Sequence, residues 1–327
     1  MFYTVRVALS LFFLSLLSTD LESHAYNLTS FSTFLQAAST LRNDQPKDAQ
    51  LIQQIPIIQD IKPLKNPGPQ RDIGLAVENN YLHDIEDFAE SYPETDFSAD
   101  KWDICRMDHF DRCALGNPSF RQRLKEAIAE HASSFLATDI SNPFLYLESL
   151  GDGLYIIHVA PRFPQGAETE IVAAIIDEDL RVHNIFRIEL SSRNGLSTGD
   201  TGGYIADVGI VGSARLQDAL ILAVDALARC GDGKRKLGFL IRFSLKDYTV
   251  KWVTPYNTAS AKFAVVGDII YSSDGGSCEN DYLYAIDVST GRVVARDFVP
   301  TAFNWVFAEN GRLFGQTYGG GFVYRLK

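Results

Sequence analysis

Basic residues are scarce in this chain: Lys and Arg number 30 against 41 Asp and Glu, giving a formal charge of −11. Phosphate contacts need clustered Lys and Arg, so the composition excludes a general nucleic-acid or anionic-membrane binder. The only basic knot, Lys234 to Lys236, reads as a solvated loop. No apolar run after the first residues is long enough for a bilayer span. Catalytic signatures are missing as well, with no nucleophile elbow, no phosphate loop and no His-Glu-x-x-His. The glycine-rich pieces Asp200 to Gly203 and Gly319 to Gly321 precede no helical pattern and read as turns between strands. Cysteine is limited to Cys105, Cys113, Cys230 and Cys278, none of them adjacent to another.

What is present begins with Arg6, an apolar run from Val7 to Leu17, and the small residues Ser23 and Ala25. That order is a secretory signal peptide over 1–25, cleaved after Ala25, with an uncleaved N-terminal anchor as the alternative. The expected location is secreted or periplasmic. Asn27-Leu28-Thr29 matches a glycosylation acceptor close to the mature terminus. At 46% hydrophobic and 22% charged, the remaining chain carries enough apolar material for a sizeable core.

Residues 26–70 are polar and Pro-containing and read as a flexible arm, with a short helix over Lys47 to Gln54 and an apolar docking point at Ile55 to Ile58. Residues 71–140 read as an α-helical cap. Ile73, Val77, Tyr81, Leu82 and Ile85 have helical spacing in one segment, and Phe120, Leu124, Ala127, Ile128 and Phe135 in another. Asn117-Pro118 is a start signal for the second helix, because the Asn oxygen accepts a free amide while Pro needs no acceptor.

From about residue 141 to 327 the texture becomes short β segments separated by turn residues. The clearest stretch is Asp281 to Arg296, where the run Tyr282 to Asp287, the turn Ser289-Thr290-Gly291 and the run Arg292 to Phe298 form a hairpin signature. Leu283-Tyr284-Ala285-Ile286-Asp287-Val288-Ser289-Thr290-Gly291-Arg292 resembles the repeat of the quinoprotein-like (PQQ-like) β-propellers, in which an Ala-x-Asp-x-x-Thr-Gly turn links the two outer strands of a blade. The family's Trp soon after the Gly is replaced here by Val293 to Arg296.

Four such units fit after residue 143. Phe322 to Leu326 repeats Tyr282 to Ile286 after an interval of about 40 residues, and Phe239 to Phe243 precedes it by a similar one, which is the blade length of propellers. The alignment puts Trp252 opposite Ala295, at the family's Trp position. The expected fold is therefore mainly β: a small β-propeller of about four blades, or part of a larger one, preceded by a small α-helical N-terminal region. A β-sandwich is the alternative, and a helix over Ala214 to Arg229 would spoil the second blade. The fourth unit lacks its last strand, which a segment near Gln54 to Ile61 is expected to donate.

Cys230 and Cys278 fall between the second and third strands of successive units, so pairing 230 with 278 and 105 with 113 is the expected connectivity. Cys105, Asp108, His109, Asp111 and Cys113 include zinc-ligand types, but at no recognised metal spacing, and a disulfide loop is favoured over a metal. His158 reads as a packed strand histidine and His183 as an exposed one. The PQQ-like enzymes have about eight blades, a vicinal Cys pair and acidic Ca²⁺ ligands. With about half the blades and no adjacent cysteines, the resemblance implies the noncatalytic branch, a scaffold of the bacterial envelope without cofactor.

In a propeller, the loops between second and third strands and those entering each first strand share one face. Tyr256, Asn257, Asp274, Glu279, Asn304, Trp305 and Tyr318 fall on such loops here and suit a polar ligand, a glycan or a peptide strand. The leading expectation is an exported scaffold that binds a protein or glycan partner. The alternatives are an exported enzyme with Asp274, Asp207 and Asp268 near the channel, two of them within about 5–10 Å for glycosidic chemistry, or a metal- or quinone-dependent protein.

Overall fold

A computed structural model describes residues 30–40, 49–97, 115–135, 144–160, 170–190, 207–227, 238–274, 280–317 and 320–326. The N-terminal part contains helices α1 (Phe31–Thr40) and α2 (Ala49–Gln54), strands β1 (Ile57–Ile58) and β2 (Leu75–Leu82), and helices α3 (Ile85–Ser91) and α4 (Pro118–Phe135). Local chemistry fixes the helix starts. The Asp84 carboxylate accepts from the amides of Glu86 and Asp87 at the head of α3, and the Asp87 side chain reaches back to complete a capping box. Asn117 Oδ1 accepts from Phe120 N at 2.8 Å, the cap expected ahead of Pro118.

The remainder is four consecutive antiparallel meanders. They are β3–β6 (Phe144–Gly151, Leu154–Ala160, Glu170–Asp177, Val182–Glu189), β7–β10 (Asp207–Leu216, Ala219–Leu227, Phe239–Ser244, Val250–Val253), β11–β14 (Ala264–Val266, Ile269–Asp274, Asp281–Asp287, Val293–Val299) and β15–β17 (Phe303–Glu309, Arg312–Thr317, Gly320–Leu326). In every sheet the first two strands are joined by a two-residue turn, Asp152-Gly153, Gln217-Asp218, Gly267-Asp268 or Asn310-Gly311, each with a residue at positive φ. The stretch from Ala214 to Leu227 is therefore a strand pair, not a helix. Four separate meanders also replace the alternative of a two-sheet sandwich.

The sheets stack face to face because their strands are apolar on both sides. Tyr146, Ile156, Phe186 and Ile188 of the first sheet meet Leu220, Leu222, Phe239 and Phe243 of the second. Ile221, Ala223 and Leu240 meet Ile270, Tyr284 and Ile286 of the third. Leu283, Ala285 and Ala295 of the third then meet Val306, Leu313 and Tyr324 of the fourth. Trp252 of the second sheet lies on the turn that joins β13 to β14 and donates from Nε1 to Val288 O at 2.9 Å. That turn is tied by Asp287, whose Oδ1 accepts from Thr290 N at 2.8 Å and from the hydroxyls of Ser289 and Thr290.

The two end faces are covered by helices. Phe34 and Leu35 of α1 and Phe120, Leu124 and Ile128 of α4 pack on the far side of the first sheet. Phe88 of α3, with Tyr92, packs on the far side of the fourth, against Phe307, Phe314 and Val323.

Residues 57–82 form a strap along the outer edges of all four sheets. Ile57 and Ile58 pair in parallel with β6, Gly68 passes against Val293, Arg71 N donates to Arg296 O at 3.3 Å, and β2 pairs antiparallel with β17. At the second sheet the strap stands off from β10, leaving a cleft of roughly 450 Å³ lined by Ile57, Gln59, Asp60, Lys62 and residues 247–253.

Two expectations are corrected here. The strand that completes the fourth sheet is Leu75–Leu82, not the segment near Gln54 to Ile61, whose Ile57–Ile58 extends the first sheet instead. The helical spacing of Ile73, Val77, Tyr81, Leu82 and Ile85 likewise belongs to a strand followed by a helix. Val77 is 57% exposed and Tyr81 44%, so these residues form no buried helical stripe; they lie on an edge strand whose inner side packs on β17.

Candidate functional site

The innermost strands meet at a buried polar clasp. Glu148 of β3 is 3% exposed; its carboxylate accepts from Tyr146 Oη and from Ser213 Oγ of β7 at 2.5 Å, and pairs with Lys262 Nζ at 2.6 Å. Lys262 immediately precedes the third sheet, and its carbonyl accepts from Val306 N of the fourth at 2.9 Å. All four blades are thus fastened at the centre. Burial foremost, then the charge of Glu148, pushes the Tyr146 phenol far above its ordinary range, so it remains a neutral donor. Glu148 has its partners within the clasp, which reads as structural.

The loop face of the third blade is different. Strand register sets Asp274, Tyr282 and Phe298 in one row across β12, β13 and β14, with Ser272, Tyr284 and Arg296 in the next row on the same face. Phe298 is 55% exposed and meets the Tyr282 ring edge-on at 6.1 Å. The Arg296 guanidinium lies 4.6 Å from the centre of that ring, a cation–π contact. Asp274 is 5% exposed and Ser272 fully buried. Burial first, then the negative charge of Asp274, raises the Tyr284 phenol, which shares a hydrogen bond with Arg296. Ser272 Oγ and Arg296 Nε are buried with no hydrogen-bond partner among the described residues. The result is an exposed aromatic rim of Phe298 and Tyr282, with Arg296 against the Tyr282 ring and Asp274 and Ser272 buried beneath.

Of the residues expected from sequence, Asp274 lies beneath this rim. The turn holding Tyr256 and Asn257 is linked to it, since Ser260 N donates to Ser273 O at 3.0 Å. Tyr256 packs edge-on to Phe239 at 6.1 Å, and Asn257 takes a left-handed φ of 59°. A Cβ on Gly238 would come within 1.5 Å of Ala259 O, so this turn rests directly on the backbone of the second sheet. Asn304 is exposed on β15. Trp305 lies elsewhere, 4.9 Å from Phe307 and 6.0 Å from Phe88 in the aromatic cluster under α3. Glu279, Tyr318, Cys105, Cys113, Cys230 and Cys278 lie outside the described residues. His158 is buried as expected, with Nδ1 2.9 Å from Val172 O, and His183 is exposed beside Asp177.

Sequence reasoning missed Tyr282, Arg296 and Phe298. The signal was the hairpin itself, because pairing its two runs places Phe298 beside Tyr282. Asp268 sits in the turn before β12 and Asp274 at the far end of that strand, so the two carboxylates lie roughly 20 Å apart. That is far beyond glycosidic spacing. Among the described residues no group of three or more His, Cys, Asp or Glu side chains is placed to hold a metal ion, and no helix is long and apolar enough to cross a membrane.

No known family and no curated protein matches the sequence. Solved structures with a similar arrangement include BamB from Moraxella catarrhalis, at 10% identity and a TM-score of 0.28, covering 57% of this chain and 67% of that one. The quinohemoprotein alcohol dehydrogenase from Comamonas testosteroni has 10% identity and a TM-score of 0.31, covering 56% and 37%. The β-propeller domain of Cps50 (Swd1) from Myceliophteria thermophila has 10% identity and a TM-score of 0.30, covering 65% and 57%. The chain thus spans between 37% and 67% of the length of these proteins. The consecutive four-stranded antiparallel meanders, stacked face to face with Trp252 laid on the Asp287 turn of the next sheet, have the architecture of β-propeller blades.

Proposed function

We propose that this chain is an exported, noncatalytic scaffold that engages a protein or glycan partner through the loop face of its third blade. The observation that supports it is the exposed Phe298 held against Tyr282, with Arg296 and Asp274 alongside. An exposed aromatic beside buried hydrogen-bonding groups is what a recognition surface needs, because the ring supplies contact area and the polar groups orientation. The clasp at Glu148 and Lys262, the strap and the helical covers together make a rigid support for such a surface. Tyr256, Asn257 and Asn304 extend the surface on this reading, as do Glu279 and Tyr318. The disulfides 105–113 and 230–278 belong to the same reading, as does signal cleavage after Ala25.

The test has two parts. The mature N-terminus, read by mass spectrometry of protein from the source cells, should begin at residue 26. Proximity labelling from the tagged chain in those cells, followed by reconstitution with purified components, should yield a partner whose binding falls at least tenfold in Phe298→Ala and Tyr282→Ala. Equal binding by wild type and both variants would remove the loop face of the third blade as the site.

A further inference from the structure

We propose that the cleft between the strap and the second sheet takes an extended peptide segment of a partner protein, paired through its main chain with the open edge of β10. The site is separate from the loop face of the third blade and does not depend on it. Among the described residues the strap makes main-chain pairings with three sheet edges: Ile57 and Ile58 with β6, Arg71 with Arg296 of β14, and β2 with β17. β10 ends the second sheet with no strand on its outer side. The sequence explains why the strap misses it. Asp60, two residues after β1, has a left-handed φ of 60° that breaks the strand, and Pro63 has no N–H to give to a ladder. A row of unpaired edge groups is a template for one more strand. The neighbouring blade already carries that strand, since β1 makes the first sheet five-stranded.

The shape and charge of the cleft decide its occupant. Gln59, Asp60 and Lys62 of the strap form the wall opposite β10, so the edge of a folded sheet meets the strap first, whereas a single extended chain fits between the two. β10 offers the four residues Val250–Val253, matched by about 13 Å of extended peptide. The charged lining is balanced, Asp60 and Asp247 against Lys62 and Lys251, and so favours neither sign of ligand. An edge lysine usually guards against strand addition. Lys251 instead lies along its own strand, with Nζ donating to Thr249 Oγ1 at 2.8 Å, and Asp247 Oδ1 accepts from the same hydroxyl at 2.7 Å. Recognition is thereby left to the main chain of β10. Ile57, Tyr248, Val250 and Val253 supply apolar wall for every second side chain of the incoming strand. The partner segment is therefore short, uncharged and apolar at alternate positions.

Selection from a phage-displayed library of random heptapeptides on the immobilised full chain supplies the probe. The enriched heptapeptide is synthesised and its affinity read by fluorescence anisotropy. Methylating its backbone nitrogens at alternate positions should weaken binding about tenfold or more in one register and less than about threefold in the other, because only every second N–H of a strand points at a given neighbour. Gln59→Trp, at an exposed strap position, fills the cleft and should weaken binding about tenfold or more with the thermal midpoint unchanged. Lys62→Ala and Lys251→Ala should change it by less than about threefold, and Phe298→Ala should leave it unchanged. If no heptapeptide is enriched on wild type over the Gln59→Trp chain, or if both methylated registers lose affinity equally, the inference is overturned. A heptapeptide that weakens in Phe298→Ala and not in Gln59→Trp lies on the loop face, which overturns this inference and supports the scaffold reading. A dimer of the chain that Gln59→Trp dissolves would give the cleft to a second copy and overturn the peptide occupant.

Discussion

Gly291 is held under the indole of Trp252: a Cβ there would stand 2.6 Å from two of its ring atoms, at a φ of 67° that L residues rarely adopt. One residue of the turn is thus chosen by a side chain of the neighbouring blade. Gly291→Ala should cost about 3 kcal/mol, from backbone strain and overpacking together. Gly311→Ala, also at positive φ but with nothing within 4 Å of its Cβ, should cost only about 1 kcal/mol. Urea midpoints of the two variants measure the difference, and equal losses would mean the Trp contact contributes nothing.

The central clasp carries the next expectation. Lys262→Met leaves the Glu148 carboxylate buried without its cation, a change of about 3 kcal/mol or more. Lys262→Met combined with Glu148→Gln removes the stranded charge and should recover part of that loss, as a double-mutant cycle on denaturant midpoints would show.

Alkaline pH tests the seat of the helical cover. Burial, and after it the bond to Glu178, pushes the Tyr155 phenol up to about 12 from an ordinary value of 10.0. The folded state holds its proton longer than the unfolded one does. Its stabilising contribution is therefore complete below pH 10 and is lost as pH rises toward about 12. The stability difference between wild type and Tyr155→Phe should shrink across that window, while a constant difference would show that the phenol titrates normally.

Two aromatics, Trp305 under α3 and Phe298 on the third blade, should separate cleanly. Trp305→Ala opens a cavity among Phe88, Phe307 and Phe314 and should cost about 3 kcal/mol. Phe298→Ala, at 55% exposure, should stay within about 0.5 kcal/mol of wild type. Thermal melts rank them, and a larger loss at Phe298 would show that its ring supports the fold.

Much of the architecture was legible because blades carry short-range signals. The run Asp287 to Arg292 announces its own turn, since a carboxylate followed by Ser, Thr and Gly supplies an acceptor, two hydroxyls and a left-handed residue in order. Trp252 was placed by repeat spacing alone. What stayed hidden depended on distant partners. Nothing near Val77 or Tyr81 states that β17 is waiting, and an edge strand with exposed apolar residues has the same spacing as a helix. Glu148 and Lys262 lie on different blades, and no local pattern joins them. On the loop face, Asp274 was visible as a polar residue ending a strand. Phe298 was not singled out, because an apolar residue in a strand reads as core until its face is known.

The strap has a consequence for how the chain is made. Residues 57–82 leave the ribosome early, yet the partner of β2 is Gly320–Leu326, so this pairing, the longest-range one among the described residues, must wait until the fourth sheet is synthesised. Until then, the end of the strap bearing Ile73 and Leu75, both buried against the third and fourth sheets in the finished protein, travels without its full cover. The strap therefore docks in two stages, its first half on β6 and its second half only once β17 has been made.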